Sequence, residues 1–204
     1  MERRERVSDA YPPIETERLR LRAPRLADAR EIQRCCAPIE MAMMMLSVPH
    51  PYSVEAAEKF VGDQVEKARM GSPDRNFLAF AKTTGLLVAC AGLRAEPAHR
   101  HAELGYWVAM DHWGRGYASE CAERLVRYGF EEMNLHKIHA GYYTHNPASG
   151  RVLAKAGFRA EGLRSQHIWR FDRFVDVALT GLLRSDWEAS RAPRGAGRSV
   201  EGGA

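Results

Sequence analysis

The stretch Trp113-Gly114-Arg115-Gly116-Tyr117-Ala118 lies between an apolar segment and an amphipathic one, and it decides the fold. Upstream, residues 104–110 (LGYWVAM) are uncharged and rich in aromatic side chains, which predicts a strand. Downstream, apolar residues recur at helical spacing over residues 118–133, which predicts a helix. A strand that enters a helix through two glycines leaves N–H groups unpaired where the peptide dipoles favour an anion. The loop therefore predicts phosphate or pyrophosphate binding by main-chain donors, with glycines allowing close approach.

Two common phosphate loops are excluded by the residues around these glycines. A Walker loop carries Lys and then Ser or Thr after its last glycine, whereas Tyr117 and Ala118 follow Gly116 here. A dinucleotide fingerprint has three glycines and an acidic residue at the end of the next strand. The next predicted strand, residues 137–144, contains no acidic residue. The ligand is therefore expected to be a phosphate-bearing molecule held by another architecture.

Composition predicts a single soluble domain. The chain has 204 residues, of which 45% are hydrophobic and 27% charged, and its formal net charge is +4. Many arginines lie near the ends, and no dense basic stripe alternates with aromatic residues, which argues against nucleic-acid binding. The first residues lack the apolar segment of a signal peptide, and no apolar run is long enough for a membrane span. These features favour a cytoplasmic protein.

The four cysteines predict neither disulfides nor a metal site. Cys35 and Cys36 are adjacent, Cys90 lies in an apolar strand, and Cys121 lies in the predicted helix. No paired spacing such as CxxC occurs, so no metal is expected and a reducing compartment fits best.

The order of predicted elements indicates an α/β, or layered α+β, fold around one mixed sheet. Residues 14–187 form the expected domain, between a disordered leader (1–13) and a disordered tail (188–204) rich in Arg, Gly and Pro. The predicted strands are 16–22, 77–82, 86–93, 101–109, 137–144, 158–170 and 174–183. The predicted helices are 26–36, 53–70 with Ser53 as its N-cap, 118–133, and a short one ending near 156. Residues 37–52, which include the methionines of 41–45, are expected to be irregular.

Four segments in this order resemble the GNAT N-acetyltransferase superfamily, and within it the branch that acetylates ribosomal proteins. They are ETERLRLR (15–22), ELGYWV (103–108) before the glycine loop, HNPASGRVLAKAGF (145–158) and LLRSDW (182–187). The resemblance implies a GNAT fold with a mixed, mostly antiparallel sheet of about six to seven strands and about four flanking helices. It also implies a splay between the fourth and fifth strands, here 103–109 and 137–144.

The resemblance implies that the phosphate-bearing ligand is acetyl-CoA, bound as a cosubstrate without a metal. Its pyrophosphate is expected on the loop, and its pantetheine arm between the splayed strands. The Val108 N–H is the implied oxyanion donor. Trp113 departs from the family, where a polar residue is common at the start of the loop. The implied acetyl-CoA contacts are Trp107, Val108, Ala109, Trp113, Gly114, Arg115, Gly116, Tyr117, Ala118, Asn146 and Ser149.

Three residues outside the loop have competing interpretations. Glu103 is the implied general base acting through water, or else a structural carboxylate. Asn146 is the implied pantetheine contact or a turn-forming residue before Pro147, and both roles can hold together. Ser149 is the implied proton donor to the leaving thiolate, or a residue that satisfies backbone groups at a helix start. Leu153 occupies the position where many members carry a catalytic tyrosine.

The predicted reaction is direct acetyl transfer to a primary amine, because no cysteine is placed beside a histidine as a nucleophile. The resemblance favours the N-terminal α-amine of a protein or peptide. A small amine (an amino acid, a polyamine or an antibiotic) and a non-catalytic acyl-CoA-binding module are the alternatives. Few acids lie in the expected acceptor segments, which disfavours polyamines, and monomer and homodimer both stay open. Candidate acceptor contacts are Met41, Met43, Met44, Met45, His167, Trp169, Arg170 and Asp176.

Overall fold

The computed structural model describes residues 11–192, which form one eight-stranded mixed sheet with helices on both faces. The strands are β1 Ile14–Glu15, β2 Leu19–Arg22, β3 Arg75–Ala81, β4 Leu87–Glu96, β5 His101–Val108, β6 Lys137–Tyr143, β7 Arg159–Arg170 and β8 Arg173–Leu183. The helices are α1 Ala29–Cys36, α2 Ile39–Met44, α3 Val54–Arg69, α4 Tyr117–Glu131, α5 Pro147–Lys155 and α6 Arg184–Arg191. The predicted α/β class is confirmed, with one strand more than the upper expectation.

The sheet has the order β1-β2-β3-β4-β5-β6-β8-β7, and only the β5–β6 pair is parallel. That pair is short: His101, Ala102 and Glu103 lie opposite Lys137, Ile138 and His139, and beyond them the two strands are no longer paired. A gap therefore opens between residues 104–108 of β5 and residues 140–143 of β6. This gap confirms the predicted splay, and it places the carboxyl end of β5 beside the glycine loop.

Alternation along the central strands divides the core into two layers. Leu104 and Val108 of β5 pack with the α4 residues that include Leu125, whereas Trp107 packs with the α1 and α3 residues that include Val61. Every residue of β4 from Leu87 to Leu93 is buried, as expected of a central strand covered on both faces. The site elements therefore rest on a rigid sheet, with α4 and α5 on one face and α1 and α3 on the other.

Two helices and one strand boundary differ from the predictions. The region predicted as irregular contains α2, in which Met41 and Ala42 are fully buried. The closing LLRSDW segment begins α6, whose Trp187 lies 5.2 Å from Phe130 between ring centroids. The strand predicted at 16–22 begins only at Leu19, because residues 16–18 form a turn in which the Thr16 N–H donates to the Leu19 carbonyl and which joins β2 to the short β1 before it. Short helices and turns of this kind depend on distant contacts that no local pattern contains.

The described chain also includes part of the predicted leader. The Tyr11 ring packs edge-on against Phe77 with 4.9 Å between centroids, and its hydroxyl bonds the Asn76 backbone. Residues 1–10 and 193–204 lie outside the described residues, so the disordered leader and tail stay predictions for them. Within residues 11–192, no helix is long and apolar enough to cross a membrane.

Candidate active site

The glycine loop leaves a run of backbone donors at the start of α4. Gly114 (φ 74°) and Gly116 (φ 81°) both adopt the left-handed conformation that favours glycine. Gly116 is the N-cap residue of α4 and supplies no side chain to cap the helix. Within the described chain, none of the N–H groups of residues 114–119 donates a hydrogen bond to protein. These six donors lie at the positive end of the α4 dipole, which is the arrangement that binds phosphate groups.

A salt bridge across the fold holds this loop in place. The Arg18 guanidinium lies 2.6 Å from the Glu120 carboxylate in the first turn of α4, and it also donates to the Arg115 carbonyl at 2.9 Å. Burial acts to raise the pKa of Glu120, but hydrogen bonds from Thr16 and Arg18 outweigh it and lower that pKa. No local sequence pattern indicates this contact, because about a hundred residues separate Arg18 from Glu120. The loop is therefore supported from the β1–β2 turn.

Near its end, β5 turns the backbone of alternate residues, Tyr106 and Val108, toward the gap. Ala109 donates its N–H to the Val88 carbonyl of β4 at 2.9 Å, and alternation then turns the N–H and carbonyl of Val108 away from β4. The backbone of Trp107 faces β4 for the same reason. The predicted backbone contacts of Trp107 and Ala109 to a pantetheine arm therefore do not fit this geometry, whereas that of Val108 does.

Trp113 takes part in this arrangement. Its indole Nε1 donates to the Val108 carbonyl at 2.7 Å, while the Val108 N–H has no partner in the described chain. From the sequence, Trp113 is expected to deprive the loop of a polar side-chain contact. The structure shows that its polar atom instead fixes the last peptide of β5. The Val108 carbonyl is thus bonded within the protein, whereas the Val108 N–H faces the gap without a partner in the described chain.

Asn146 connects two helices that flank the gap. Its Oδ1 accepts from the Ser149 N–H at 3.2 Å, which makes Asn146 the N-cap of α5, and its Nδ2 donates to the Met44 carbonyl at 3.1 Å. His145 contacts the Met43 carbonyl through Nε2 at 2.9 Å. These two carbonyls belong to the last turn of α2, where helices leave acceptors unpaired. The capping role of Asn146 is therefore observed, and its predicted contact to the pantetheine arm stays a prediction.

Ser149 is hydrogen-bonded to Tyr106, to which the sequence assigned no role. The Tyr106 hydroxyl lies 2.9 Å from Ser149 Oγ and 3.1 Å from the Ser149 carbonyl, so β5 and α5 are joined across the gap. Burial raises the pKa of Tyr106 to about 12, against the opposing effect of the Ser149 hydrogen bond. Leu153, one turn after Ser149, is buried. Strand alternation could have found Tyr106, because it shares a face with Val108.

Glu103 lies at the far end of β5 from these residues. It pairs with the exposed Arg94 and lies opposite His139, in the short segment where β5 and β6 are still paired. Five residues separate it from Val108, or about 17 Å of extended strand. This placement speaks against the prediction that Glu103 is the general base, and it agrees with the structural carboxylate that was the alternative.

A small cleft lies at the end of β6, on the face of the sheet opposite α5. Of the predicted acceptor residues, Met43 and Arg170 line it and Met41 is buried in the core. Trp169 is exposed and contacts Phe174 edge-on at 4.8 Å, while Asp176 accepts from the Gln166 N–H at 2.6 Å. Met44 and Met45 are half-buried, and His167 is exposed beside Arg164. Met41 is therefore a core residue, whereas Met43 and Arg170 are available to a ligand in the cleft.

The cysteines do not offer a nucleophile. All four are buried free thiols. Burial raises the pKa of Cys35 to about 11 and that of Cys36 and Cys121 to about 12, and it raises the pKa of Cys90 as well. Thiolates are therefore disfavoured at neutral pH. Among residues 11–192, no three or more His, Cys, Asp or Glu side chains are grouped so as to hold a metal ion.

Known proteins match both this sequence and this geometry. Residues 18–159 match the acetyltransferase (GNAT) domain family. The N-acetyltransferase YoaA of Bacillus subtilis is 34% identical over 181 residues, which cover 85% of this chain and 98% of the relative. The ribosomal protein uS5-alanine N-acetyltransferase of Escherichia coli is 33% identical over 88 residues, 43% of this chain and 45% of that enzyme. A solved structure of Vibrio cholerae spermidine N-acetyltransferase with CoA and spermine superposes with a TM-score of 0.74 at 24% identity, covering 85% of this chain and 99% of that one.

Proposed function

Since this chain belongs to the GNAT acetyltransferase family and is an N-acetyltransferase, we propose that it transfers the acetyl group of acetyl-CoA directly to the N-terminal α-amine of a protein or peptide. The observation that carries the donor assignment is the run of unpaired N–H groups at residues 114–119, next to a gap that the Val108 N–H faces. The Escherichia coli relative, named for an alanine of a ribosomal protein, supports the acceptor assignment.

The residues at the start of α4 suit a pyrophosphate. In this proposal the backbone N–H groups of Gly114, Arg115, Gly116, Tyr117 and Ala118 hold it, and the helix dipole adds to the attraction. The fit rests on the absence of any protein partner for these donors within the described chain. Acetyl-CoA supplies the acetyl group as a thioester. In this proposal its pantetheine arm lies in the gap between β5 and β6 and passes Asn146.

Val108 supplies the electrostatic stabilisation of the reaction. Its N–H faces the gap in a fixed direction, because Trp113 holds the carbonyl and Ala109 is bonded to β4. A preorganised donor aimed at a developing oxyanion contributes about 10²–10³ in kcat in other acyl-transfer enzymes. Val108 can do this without any side chain, so its identity matters less than the position of its peptide.

Ser149 is the proposed proton donor to the leaving thiolate, with Tyr106 as its positioning residue. The Tyr106 hydroxyl is 2.9 Å from Ser149 Oγ, so it can donate to that oxygen and leave the Ser149 hydroxyl free to donate to the thiolate, and water restores the proton that Ser149 gives up. Burial keeps the Tyr106 hydroxyl protonated at neutral pH. Leu153 has no hydroxyl at the position where many family members carry a tyrosine, and the Tyr106–Ser149 pair supplies a hydroxyl near the same helix.

The proposed reaction does not depend on a carboxylate base. An α-amino group has a pKa near 8 and is partly neutral at physiological pH, so water can accept the proton that the amine loses after attack. Glu103 is about 17 Å of strand away from Val108 and already pairs with Arg94. The acceptor amine therefore enters in its neutral form.

Two alternatives make different demands on the site. A polyamine acceptor carries several positive charges, and the arginines of the cleft at the end of β6 oppose it. A non-catalytic acyl-CoA-binding module would bind CoA without turnover.

The test is release of free thiol from acetyl-CoA with a panel of amines: alanine- and serine-ended peptides, spermidine, and free amino acids. Transfer to peptide α-amines, shown by mass spectrometry of the product, supports the proposal. Turnover confined to spermidine or amino acids would refute the acceptor assignment. CoA binding without turnover on any amine would favour the binding module. Ser149→Ala and Tyr106→Phe, compared at saturating acetyl-CoA, then test the proton donor through kcat.

A further inference from the structure

We infer that the cleft lined by Tyr143, Arg170 and Arg173 binds a carboxylate of the acceptor, so that the enzyme selects peptides with an acidic side chain close behind their N-terminal amine. This inference rests on the proposed function, because it adds a subsite to the acceptor side of the same gap. The cleft also includes Met43, His145, Phe171 and Val175.

The first observation is a buried hydroxyl with no partner. The Tyr143 side chain is 1% exposed, and its hydroxyl makes no hydrogen bond within the described chain. Burial raises the pKa of Tyr143, with Arg170 acting in the opposite direction, so the hydroxyl is a protonated donor. A buried polar group without a partner is costly, and such groups in native proteins mark a catalytic role, strain, or a bound water or ion. Because Tyr143 lines the cleft, this hydroxyl can donate to an acceptor atom that enters it.

The second observation is a pair of like charges held face to face. Arg170 and Arg173 lie directly opposite each other at the end of the β7–β8 hairpin, so their side chains share one face of the sheet. Phe171 (φ 50°) and Asp172 (φ 56°) form the two-residue turn between them. Like charges in this position destabilise a hairpin. An anion between the two guanidinium groups would remove that repulsion.

The hydrogen-bonding state of the arginines agrees with this view. Arg170 donates through Nη2 to the Val48 carbonyl, while its buried Nε has no partner in residues 11–192. Arg173 makes no ion pair within the same residues, although Asp172 is its neighbour and Asp176 is three residues away. Asp176 instead accepts from the Gln166 N–H at 2.6 Å. The cleft thus combines one hydroxyl and two guanidinium groups as donors, which is the set that recognises a carboxylate.

The position of the cleft makes it part of the acceptor path. Tyr143 is the last residue of β6, and its carbonyl accepts from the Asn146 N–H at 2.8 Å, where the chain turns into α5. Tyr142 points to α5 on one face of the sheet, so its neighbour Tyr143 points to the opposite face, beside α2. A peptide whose amine reaches the gap from that face passes the cleft within its first few residues.

The experiment measures kcat/KM for peptides that start with the same residue and carry Asp at position 2, 3 or 4, each against the same peptide with Asn. We expect one of the three Asp peptides to be preferred over its Asn partner by about tenfold or more, mainly through KM. Arg173→Gln should reduce this ratio toward one, and the variant should fold because Arg173 is exposed. Tyr143→Phe should reduce the ratio as well. Arg164→Gln is the matched control, because it removes a charge from the same hairpin outside the cleft and should keep the ratio.

Binding of product peptides provides a readout that does not require turnover. N-acetylated Asp and Asn peptides are titrated into the CoA-saturated protein by calorimetry, and the Asp peptide should bind about tenfold more tightly in the wild type but not in Arg173→Gln. Acetylation of Asp and Asn peptides at equal rates would overturn the cleft while leaving the proposed function intact. Transfer to spermidine but to no peptide would overturn both. A preference for phosphoserine over Asp at the same position would reassign the cleft to phosphate.

Discussion

The indole Nε1 of Trp113 donates a hydrogen bond to the Val108 carbonyl at 2.7 Å, and this bond joins the glycine loop to the last residue of β5. The two functions assigned to this region are thereby coupled. The loop that presents unpaired N–H groups also holds the Val108–Ala109 peptide, which adjoins the Trp107–Val108 peptide whose N–H faces the gap.

Trp113→Phe tests that coupling. Phenylalanine keeps an aromatic ring at the position but removes the donor, so the Val108 carbonyl loses its hydrogen bond and the adjoining peptide, which carries the Val108 N–H, is held less firmly. A lost hydrogen bond of about 1–1.5 kcal/mol in the transition state corresponds to a fall in kcat of roughly tenfold. Steady-state kinetics with a good peptide acceptor would measure it. Trp187→Phe is the control, because that tryptophan packs against Phe130 away from the loop. An unchanged kcat in Trp113→Phe would show that Val108 needs no such support.

Gly116→Ala tests the anion-binding loop. The position has φ 81°, which costs a residue with a Cβ roughly 1–2 kcal/mol, and the added atom would lie 3.3 Å from Arg18 Nη2. We expect the loop to shift and the Kd for CoA to weaken by about tenfold. Titration calorimetry measures the Kd, and urea denaturation measures the free energy of unfolding.

Gly62→Ala provides the comparison for that experiment. Gly62 lies inside α3, and nothing lies within 4 Å of the Cβ that alanine would add. This variant should be more stable than the wild type by about 0.5–1 kcal/mol and should bind CoA normally. If Gly116→Ala bound CoA as tightly as Gly62→Ala, the loop would not be the pyrophosphate site.

The elements that the sequence predicted are those with a strong local pattern. The apolar strand before the glycine loop, the helix after it and the Ser53 N-cap all depend on neighbouring residues, and the structure contains each of them, although the strand ends at Val108 rather than Met110. The Ser53 side chain accepts from the Ala56 N–H at 3.2 Å, as a capping serine should. The glycine loop was predictable for the same reason, since its function lies in its own backbone.

The contacts that the sequence did not predict join residues far apart in the chain. Arg18 and Glu120, or Tyr106 and Ser149, meet only because the sheet order brings β2 to α4 and β5 to α5. The helix α2 is short, and its last carbonyls are satisfied by His145 and Asn146. No local propensity contains such information. The resemblance to a family suggested roles for single residues, but the distances decide which of them can act together.

Glu103→Gln tests the revised view of the base. If the acceptor enters as a neutral α-amine, kcat/KM should rise with pH and level off near the pKa of that amine, about 8. The variant should follow the wild-type profile within about twofold, because Glu103 lies at the paired end of β5 beside Arg94. The measurement is kcat/KM of the wild type and of Glu103→Gln with one peptide, at pH values from acid to alkaline. A loss concentrated at low pH, where the amine is mostly protonated, would restore Glu103 as the base.

Tyr143→Phe tests the buried hydroxyl through stability rather than activity. The Tyr143 hydroxyl is buried without a hydrogen bond in the described chain, so its removal should raise the free energy of unfolding of the ligand-free enzyme by about 1 kcal/mol. Tyr106→Phe is the matched control, since its hydroxyl contacts Ser149 at 2.9 Å and its removal should lower that free energy by about as much. Urea denaturation of both variants measures the two shifts. Opposite signs would show that the fold keeps Tyr143 at a cost to stability, as expected of a residue retained to bind a ligand, whereas destabilisation by both would mean that the Tyr143 hydroxyl already has a partner.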